Sequence, residues 1–322
     1  MKNLKSILLI IIPLLLAACG KTDKSKEDEQ IVNVYTHRHY DTDKLLFKQF
    51  EDETGIKVNV INASADELIT RMQNEGKDSP ADVLITVDAG RLHKAKESGL
   101  LQPVESPILN KNVPSHLKDN EDYWYGLTKR ARVIAYDKNK VNPKDIATYW
   151  DLTKDEFKGQ VLVRTSGHIY NQSLLASFIA HFPDSNYAEK WAAGIVKNMA
   201  RKPAGSDKDQ IKAIAAGLGD VAIVNSYYYG MMVSSDDESE KSATDHVGIV
   251  FPNQEGRGTH INVSGAGVAK YSKHKANAIK FIEFLTSKKA QGIFSQSNYE
   301  YPVNPEVEPS ALLKSWGADR KN

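Results

Sequence analysis

Residues 31–62 read IVNVYTHRHYDTDKLLFKQFEDETGIKVNVIN, and the period of their apolar side chains decides the fold class. Ile31–Thr36 alternates as a strand does, with Ile31, Asn33 and Tyr35 on one face and Val32 and Val34 on the other. Asp41 or Thr42 then caps a helix that carries Leu45, Leu46, Phe47 and Phe50 and ends at Gly55. Ile56, Val58 and Val60 are in phase for a second strand over 56–61. Ser64 and Glu67 have the spacing of a capping box, which opens a helix that stops at Gly76. A continuous apolar strand follows at 81–87, and another helix runs to Gly99. Strands and helices alternating at this short spacing predict an α/β fold, with a largely parallel sheet and helices on both faces.

The pattern returns downstream. Strands are expected at 160–164, 220–225 and 260–269, the last with small residues at Gly265 and Gly267 that suit a tight strand passage. Helices are expected at 172–181, 186–199, 207–216, 276–286 and 288–296, and SSDDESEKSATD at 234–245 has the composition of an exposed loop. Two stretches qualify as hinges: the extended Arg132–Asp137, and the segment between Val233 and Val247. This divides the chain into one lobe of 31–131 with 246–298 and a second of 132–245 with 299–322. Two lobes joined by two crossovers resemble a type II periplasmic binding protein, which closes around its ligand by hinge motion. Two independent domains in series are the competing reading.

The 322 residues carry 42 Lys+Arg against 41 Asp+Glu, which leaves no basic footprint for nucleic acid. With one Cys, an intramolecular disulfide and a cysteine-based zinc site are excluded. The chain starts with basic residues, then has an apolar run over 7–16 broken only by Pro13. That run is too short to span ~30 Å of hydrocarbon and reads as a secretory signal over 1–18. Leu16-Ala17-Ala18-Cys19 resembles a bacterial lipobox, with Cys19 lipidated as the first mature residue. GKTDKSKEDEQ has no aliphatic or aromatic residue, so 19–30 is a flexible tether, and the protein is expected to be exported and held at a membrane surface of the cell envelope.

No G-x-S-x-G, P-loop, G-x-G-x-x-G or H-E-x-x-H motif occurs, so the chain is not expected to be an enzyme. Tyrosine is the unusual residue. There are 14, and Tyr227, Tyr228 and Tyr229 are consecutive, directly after a strand. Adjacent side chains of a strand point to opposite faces, so neighbouring tyrosines converge only where the chain turns. His37-Arg38-His39-Tyr40-Asp41-Thr42-Asp43 follows the first strand, and Gly167-His168-Ile169-Tyr170-Asn171 follows a later one. Three strand ends in two lobes thus each offer a Tyr, and two add His. Aromatic packing of a lobe surface explains a lone triplet better than a site does, but not three matched strand ends. With an ordinary pKa of ~10, each phenol costs about 4 kcal/mol to ionise at pH 7, and four cost roughly 16 kcal/mol. Only a strongly Lewis-acidic cation repays that, which suits Fe³⁺; Mg²⁺ and Ca²⁺ prefer carboxylates and water.

HRHYDTD after the first strand and NSYY after a strand of the second lobe resemble the ferric-ion-binding proteins of bacterial iron ABC transporters, closest to the FutA-like branch. The resemblance covers about Ile31 to Trp316. It implies that His39, Tyr40, Tyr170, Tyr227 and Tyr228 surround Fe³⁺ as the transported ligand. It also implies partnership with a membrane permease and its ATPase, and a monomer. Tyr229 would point away. Some relatives add a Glu and an external anion; four phenolates already balance the metal, so none is expected to be required. Arg130 and Arg132 are expected to hydrogen-bond the phenolates, or else to lie on an ordinary salt-bridged surface, and His37 and His168 to lie outside the ligand set. The alternatives are the same fold holding an organic cation, a polyamine or thiamine, by cation–π contacts, and an exported enzyme with one activated Tyr.

Overall fold

The computed structural model describes residues 30–183 and 185–317. The expected signal over 1–18, the lipidation site Cys19 and all but the last residue of the tether lie outside the described residues. Strand β1 (Ile31–Thr36) pairs in parallel with β2 (Lys57–Asn62) on one side and β3 (Val83–Thr86) on the other. Helices α1 (Asp41–Thr54), α2 (Ala65–Glu75) and α3 (Ala89–Glu97) alternate with them, followed by β4 (Leu101–Gln102) and α4 (Pro107–Asn112). Ser64 and Glu67 form the capping box of α2, each side chain bonding the other's backbone N–H. Helix α1 begins differently from expectation. Its cap is Tyr40, whose backbone N–H donates to Asp43, so Asp41 is the first helical residue and neither Asp41 nor Thr42 caps the helix.

The long β5 (Tyr125–Asp137) follows, then β6 (Val161–Leu162), α5 (Ile169–His181), α6 (Tyr187–Asn198) and α7 (Asp207–Ala215). Next come β7 (Val221–Asn225), α8 (Ser226–Val233), α9 (Glu238–His246), β8 (Val247–Val250) and β9 (Ile261–Ala269). Helices α10 (Lys275–Leu285) and α11 (Lys288–Ser297), the short β10 (Tyr301–Pro302) and α12 (Ala311–Ser315) complete the chain. The strand order is β2-β1-β3-β9-β5-β7-β6, with β4 joined to β9 and with β8 and β10 joined to β5. The sheet is mixed rather than largely parallel: β9 is antiparallel to β3 and β5, and β5 is antiparallel to β7. Two strands that return between the halves produce this, and a strand–helix count does not register their direction.

Strand β5 serves both halves. Its residues up to Ala131 pair with β9, and from Arg132 onward it pairs with β7. The second crossover lies at 251–260, because β8 pairs with residues 134–137 of β5 and only β9 rejoins the first half. Residues 247–250 therefore belong with the second half, a correction to the expected boundary at 246 and hinge at 233–247. The expected loop at 234–245 contains α9, capped by Asp237 and burying Ala243 and Thr244; its charged outer face masked these two inward residues. The C-terminal stretch is divided: β10 pairs with Thr128 and Lys129 in the first half, whereas Trp316 packs near Tyr229 and Phe251 in the second. The two crossovers are tied together where the Arg132 N–H donates to the His260 carbonyl (2.8 Å) and the His260 N–H to the Tyr149 hydroxyl (3.2 Å).

Each half has its own core. In the first, Phe47 and Phe50 of α1 pack edge-on against Phe281 of α10, over Val32, Val34 and Ile85. In the second, Phe178, Trp191 and Tyr149 pack over Val221 and Ile223. Gly265 marks a close passage of β9 past β5, where a Cβ would come 2.7 Å from the Tyr125 carbonyl oxygen and 2.7 Å from Leu92. Backbone cannot give way as a side-chain tip can. Gly265→Ala is therefore expected to destabilise the fold by ~1–3 kcal/mol, seen as a lower urea midpoint with an unchanged m-value.

Candidate metal centre

The ends of β1 and β7 and the start of α5 meet at the join between the halves. Tyr40 caps α1 directly after β1, and Tyr170 lies in the first turn of α5. That helix starts at Ile169, three residues earlier than its apolar pattern suggests, because the His168 ring caps it by accepting from the Tyr170 N–H at 3.3 Å. Tyr227 and Tyr228 occupy the first turn of α8 immediately after β7. Successive helix residues fan out by ~100°, so a helix start resolves the tyrosine triplet. The Tyr229 hydroxyl leaves the site and donates to the Val247 carbonyl at 2.9 Å.

The Tyr227 hydroxyl is the centre of the cluster. It lies 2.9 Å from the Tyr40 hydroxyl, across the two halves, and 3.2 Å from the Tyr170 hydroxyl. The Tyr228 ring packs on Tyr227 with centroids 4.2 Å apart. His39 is exposed; it stacks on the Tyr40 ring at 5.2 Å, with its Nδ1 3.4 Å from the His37 carbonyl. Of the five expected ligands, Tyr40 and Tyr170 thus each meet the Tyr227 hydroxyl, Tyr228 packs on Tyr227, and His39 is exposed beside Tyr40. His37 and His168 line a separate small cavity of about 190 Å³ with Asp88 and Arg91.

Burial first, then the negative charges that Tyr170 and Tyr228 would carry, push the Tyr40 phenol well above its ordinary range. Burial followed by Tyr170 and Tyr40 does the same to Tyr227, and burial pushes Tyr228 up to about 12. Tyr40, Tyr227 and Tyr228 accordingly hold their protons in the unliganded site, and hydroxyl contacts centred on Tyr227 tie it together. No tyrosine among these three has the lowered pKa that an activated general base needs.

Arginines enclose the cluster. The guanidinium carbons of Arg130, Arg132 and Arg164 lie 5.4, 5.8 and 5.3 Å from the Tyr170 ring centroid, and Arg38 lies 5.1 Å from that of Tyr40. Arg130 and Arg132 are 1% and 2% exposed, which removes the reading of an ordinary salt-bridged surface. Arg132 pairs with Asp207 at 2.6 Å and Arg164 with the same carboxylate at 3.2 Å. Arg38 pairs with Asp43 at 2.9 Å and with Glu300 at 2.8 Å, and Glu300 also meets Arg130 at 3.3 Å. Arg130 keeps its Nε and Nη2 buried without a protein acceptor, and Arg132 and Arg164 keep their Nε so. Three carboxylates thus face four guanidinium groups, leaving a net positive surround with donors to spare.

The sequence reading missed Arg38, Arg164, Asp207 and Glu300. Arg38 stood within the quoted HRHYDTD, and its place between two histidines was the available signal. Glu300 and Asp207 carry no local motif and enter the site only through the fold. Among the described residues no group of three His, Asp or Glu side chains is arranged to hold a metal, so the phenol cluster is the distinctive donor set.

Residues 78–317 match the family model described as bacterial extracellular solute-binding protein. The chain is 47% identical to iron uptake protein A1 of Synechocystis over 94% of its own length and 85% of that protein's. It is 29% identical to the major ferric iron-binding protein of Neisseria gonorrhoeae, covering 88% of this chain and 86% of the relative. Among solved structures, Trichodesmium FutA in complex with iron and citrate superposes with a TM-score of 0.85 at 50% identity, over 91% of this chain and 92% of that one. The ferric binding protein of Campylobacter jejuni gives 0.85 at 44% identity, over 89% and 90%. The fold is that of the type II periplasmic binding proteins, and the chain belongs to the bacterial extracellular solute-binding protein family.

Proposed function

We propose that this protein is the substrate-binding subunit of an iron ABC transporter, lipid-anchored through Cys19, which captures Fe³⁺ between its two halves and hands it to a membrane permease driven by an ATPase. Fe³⁺ is cargo, and the chain performs no chemistry on it. Tyr40, Tyr170, Tyr227 and Tyr228 bind as phenolates and His39 as a neutral imidazole. Arg130 and Arg132 stand behind them with N–H groups available to phenolate oxygens. The protein acts as a monomer and has no nucleic-acid partner. The observation that carries this reading is the convergence of the Tyr40 and Tyr170 hydroxyls on that of Tyr227, at 2.9 and 3.2 Å, from both sides of the hinge.

Electrostatics favour Fe³⁺ over an organic cation. Four phenolates and a trivalent ion sum to one negative charge, which the net positive surround offsets without an added anion. A polyamine or thiamine would instead meet four guanidinium groups, and the nearby carboxylates of Asp43, Asp207 and Glu300 are already engaged by arginine. Burial makes ionising Tyr40, Tyr227 and Tyr228 dearer than the ~4 kcal/mol of an exposed tyrosine at pH 7, so a weak Lewis acid does not displace their protons.

Addition of ferric citrate to the mature protein is expected to produce a blue-to-green absorption band that dithionite bleaches. Replacing all four tyrosines by phenylalanine should abolish the band and lower iron affinity by several powers of ten. A folded wild-type protein with no band would sink the ferric reading. Reduction to Fe²⁺ weakens phenolate bonding and favours release.

The pH dependence has a fixed sign. Phenols whose pKa lies above the ordinary value are protonated at neutral pH, so each must lose a proton to bind metal, and acid opposes binding. Titration of iron into weakly buffered protein should release about three to four protons per ion, and bound iron should be lost as the pH falls from 7 to 5. Release of fewer than two protons would show that the phenols do not bind as anions.

A further inference from the structure

Glu300 is completely buried beside β10, in a stretch that no sequence motif marks. Its Oε2 accepts from Arg38 Nη2 at 2.8 Å and from Asn298 Nδ2 at 2.6 Å. Its Oε1 accepts from Thr128 at 2.9 Å, Arg38 Nη1 at 3.2 Å and Arg130 Nη1 at 3.3 Å. Ser264 supports the same two arginines, accepting from Arg38 at 3.0 Å and from Arg130 at 2.5 Å. One carboxylate therefore holds two guanidinium groups that lie on different phenols, Arg38 on the Tyr40 ring and Arg130 on the Tyr170 ring. Those phenols belong to opposite halves of the molecule. Packing alone does not require an ionic cluster at this point, since apolar side chains of similar volume fill such a space at comparable or lower free energy.

We propose that Glu300 is a positioning residue that sets the electrostatic field at the bound iron, by holding Arg38 and Arg130 against the tyrosines and supplying the negative charge that tempers them. The inference rests on the ferric reading above. The cluster is out of water, so mobile ions screen it little. Removing the Glu300 charge makes the surround more positive, which disfavours Fe³⁺ more than Fe²⁺ and raises the reduction potential. Removing the Arg130 charge does the opposite. A scaffold role alone gives no reason for shifts of opposite sign.

The experiment is a spectroelectrochemical titration of the iron-loaded mature protein, wild type against Glu300→Gln, Glu300→Asp and Arg130→Gln, with folding checked by circular dichroism. Glu300→Gln is expected to lower the ratio of Fe³⁺ to Fe²⁺ affinity at least tenfold, a rise of about 59 mV for one electron. Its charge-transfer band should also move to longer wavelength, because iron that is easier to reduce takes the phenolate electron at lower energy. Arg130→Gln should shift the potential downward, and Glu300→Asp should return it toward the wild-type value. Should Glu300→Gln fail to fold, a downward shift in Arg130→Gln together with a wild-type-like potential in Glu300→Asp supports the assignment, and any other pattern overturns it. Potentials that stay put, or that move the same way in the Gln variants, overturn the assignment while leaving ferric binding intact. A wild-type protein with no band overturns both.

Discussion

The hydroxyl of Tyr227 is the contact on which the site depends. It is buried at the first turn of α8 and meets Tyr40 from the other half of the molecule at 2.9 Å and Tyr170 from its own half at 3.2 Å. A hydrogen bond between neutral phenols is a modest interaction, worth about 1 kcal/mol net. Its value lies in its position, because it adds a contact at the metal site between two halves whose chain connections are β5 and the 251–260 crossover. Replacing that shared proton by a trivalent ion would turn a weak closure into a strong one, coupling capture to hinge motion.

The charges around the phenols are arranged for the same end. A buried phenolate is costly, and four together repel. Burial raises the pKa of Tyr40, Tyr227 and Tyr228 rather than lowering it in advance, so at these three positions the empty site holds protons rather than charge. The arginines are paired with carboxylates only in part, and they leave N–H groups pointing at nothing in the protein. Such orphaned donors cost about 1–3 kcal/mol each, and they make sense as acceptor-seeking groups that gain partners when the phenols ionise.

Much of this was legible in the sequence. The alternation over residues 31–62, the capping box at Ser64 and Glu67, and the turn required by three consecutive tyrosines follow from side-chain period and local hydrogen bonding, which short windows contain. The direction of β9 and the lobe of β8 do not, because strand pairing over more than a hundred residues leaves no local trace. The start of β5 was hidden because Thr128 and Arg130 interrupt its apolar pattern, and they do so because they face the buried ionic cluster. For the same reason Glu300 and Asp207 were invisible. Each is an ordinary acidic residue until the fold encloses it between arginines.

Resonance Raman spectroscopy of the iron-loaded protein, excited within its visible band, tests the tyrosinate centre most directly. Tyrosyl ring and C–O modes should be strongly enhanced, and should weaken in Tyr227→Phe more than in Tyr229→Phe. A loaded protein whose visible band enhances no tyrosyl modes, or in which Tyr227→Phe changes nothing, would contradict the account, since iron would then be held by other donors.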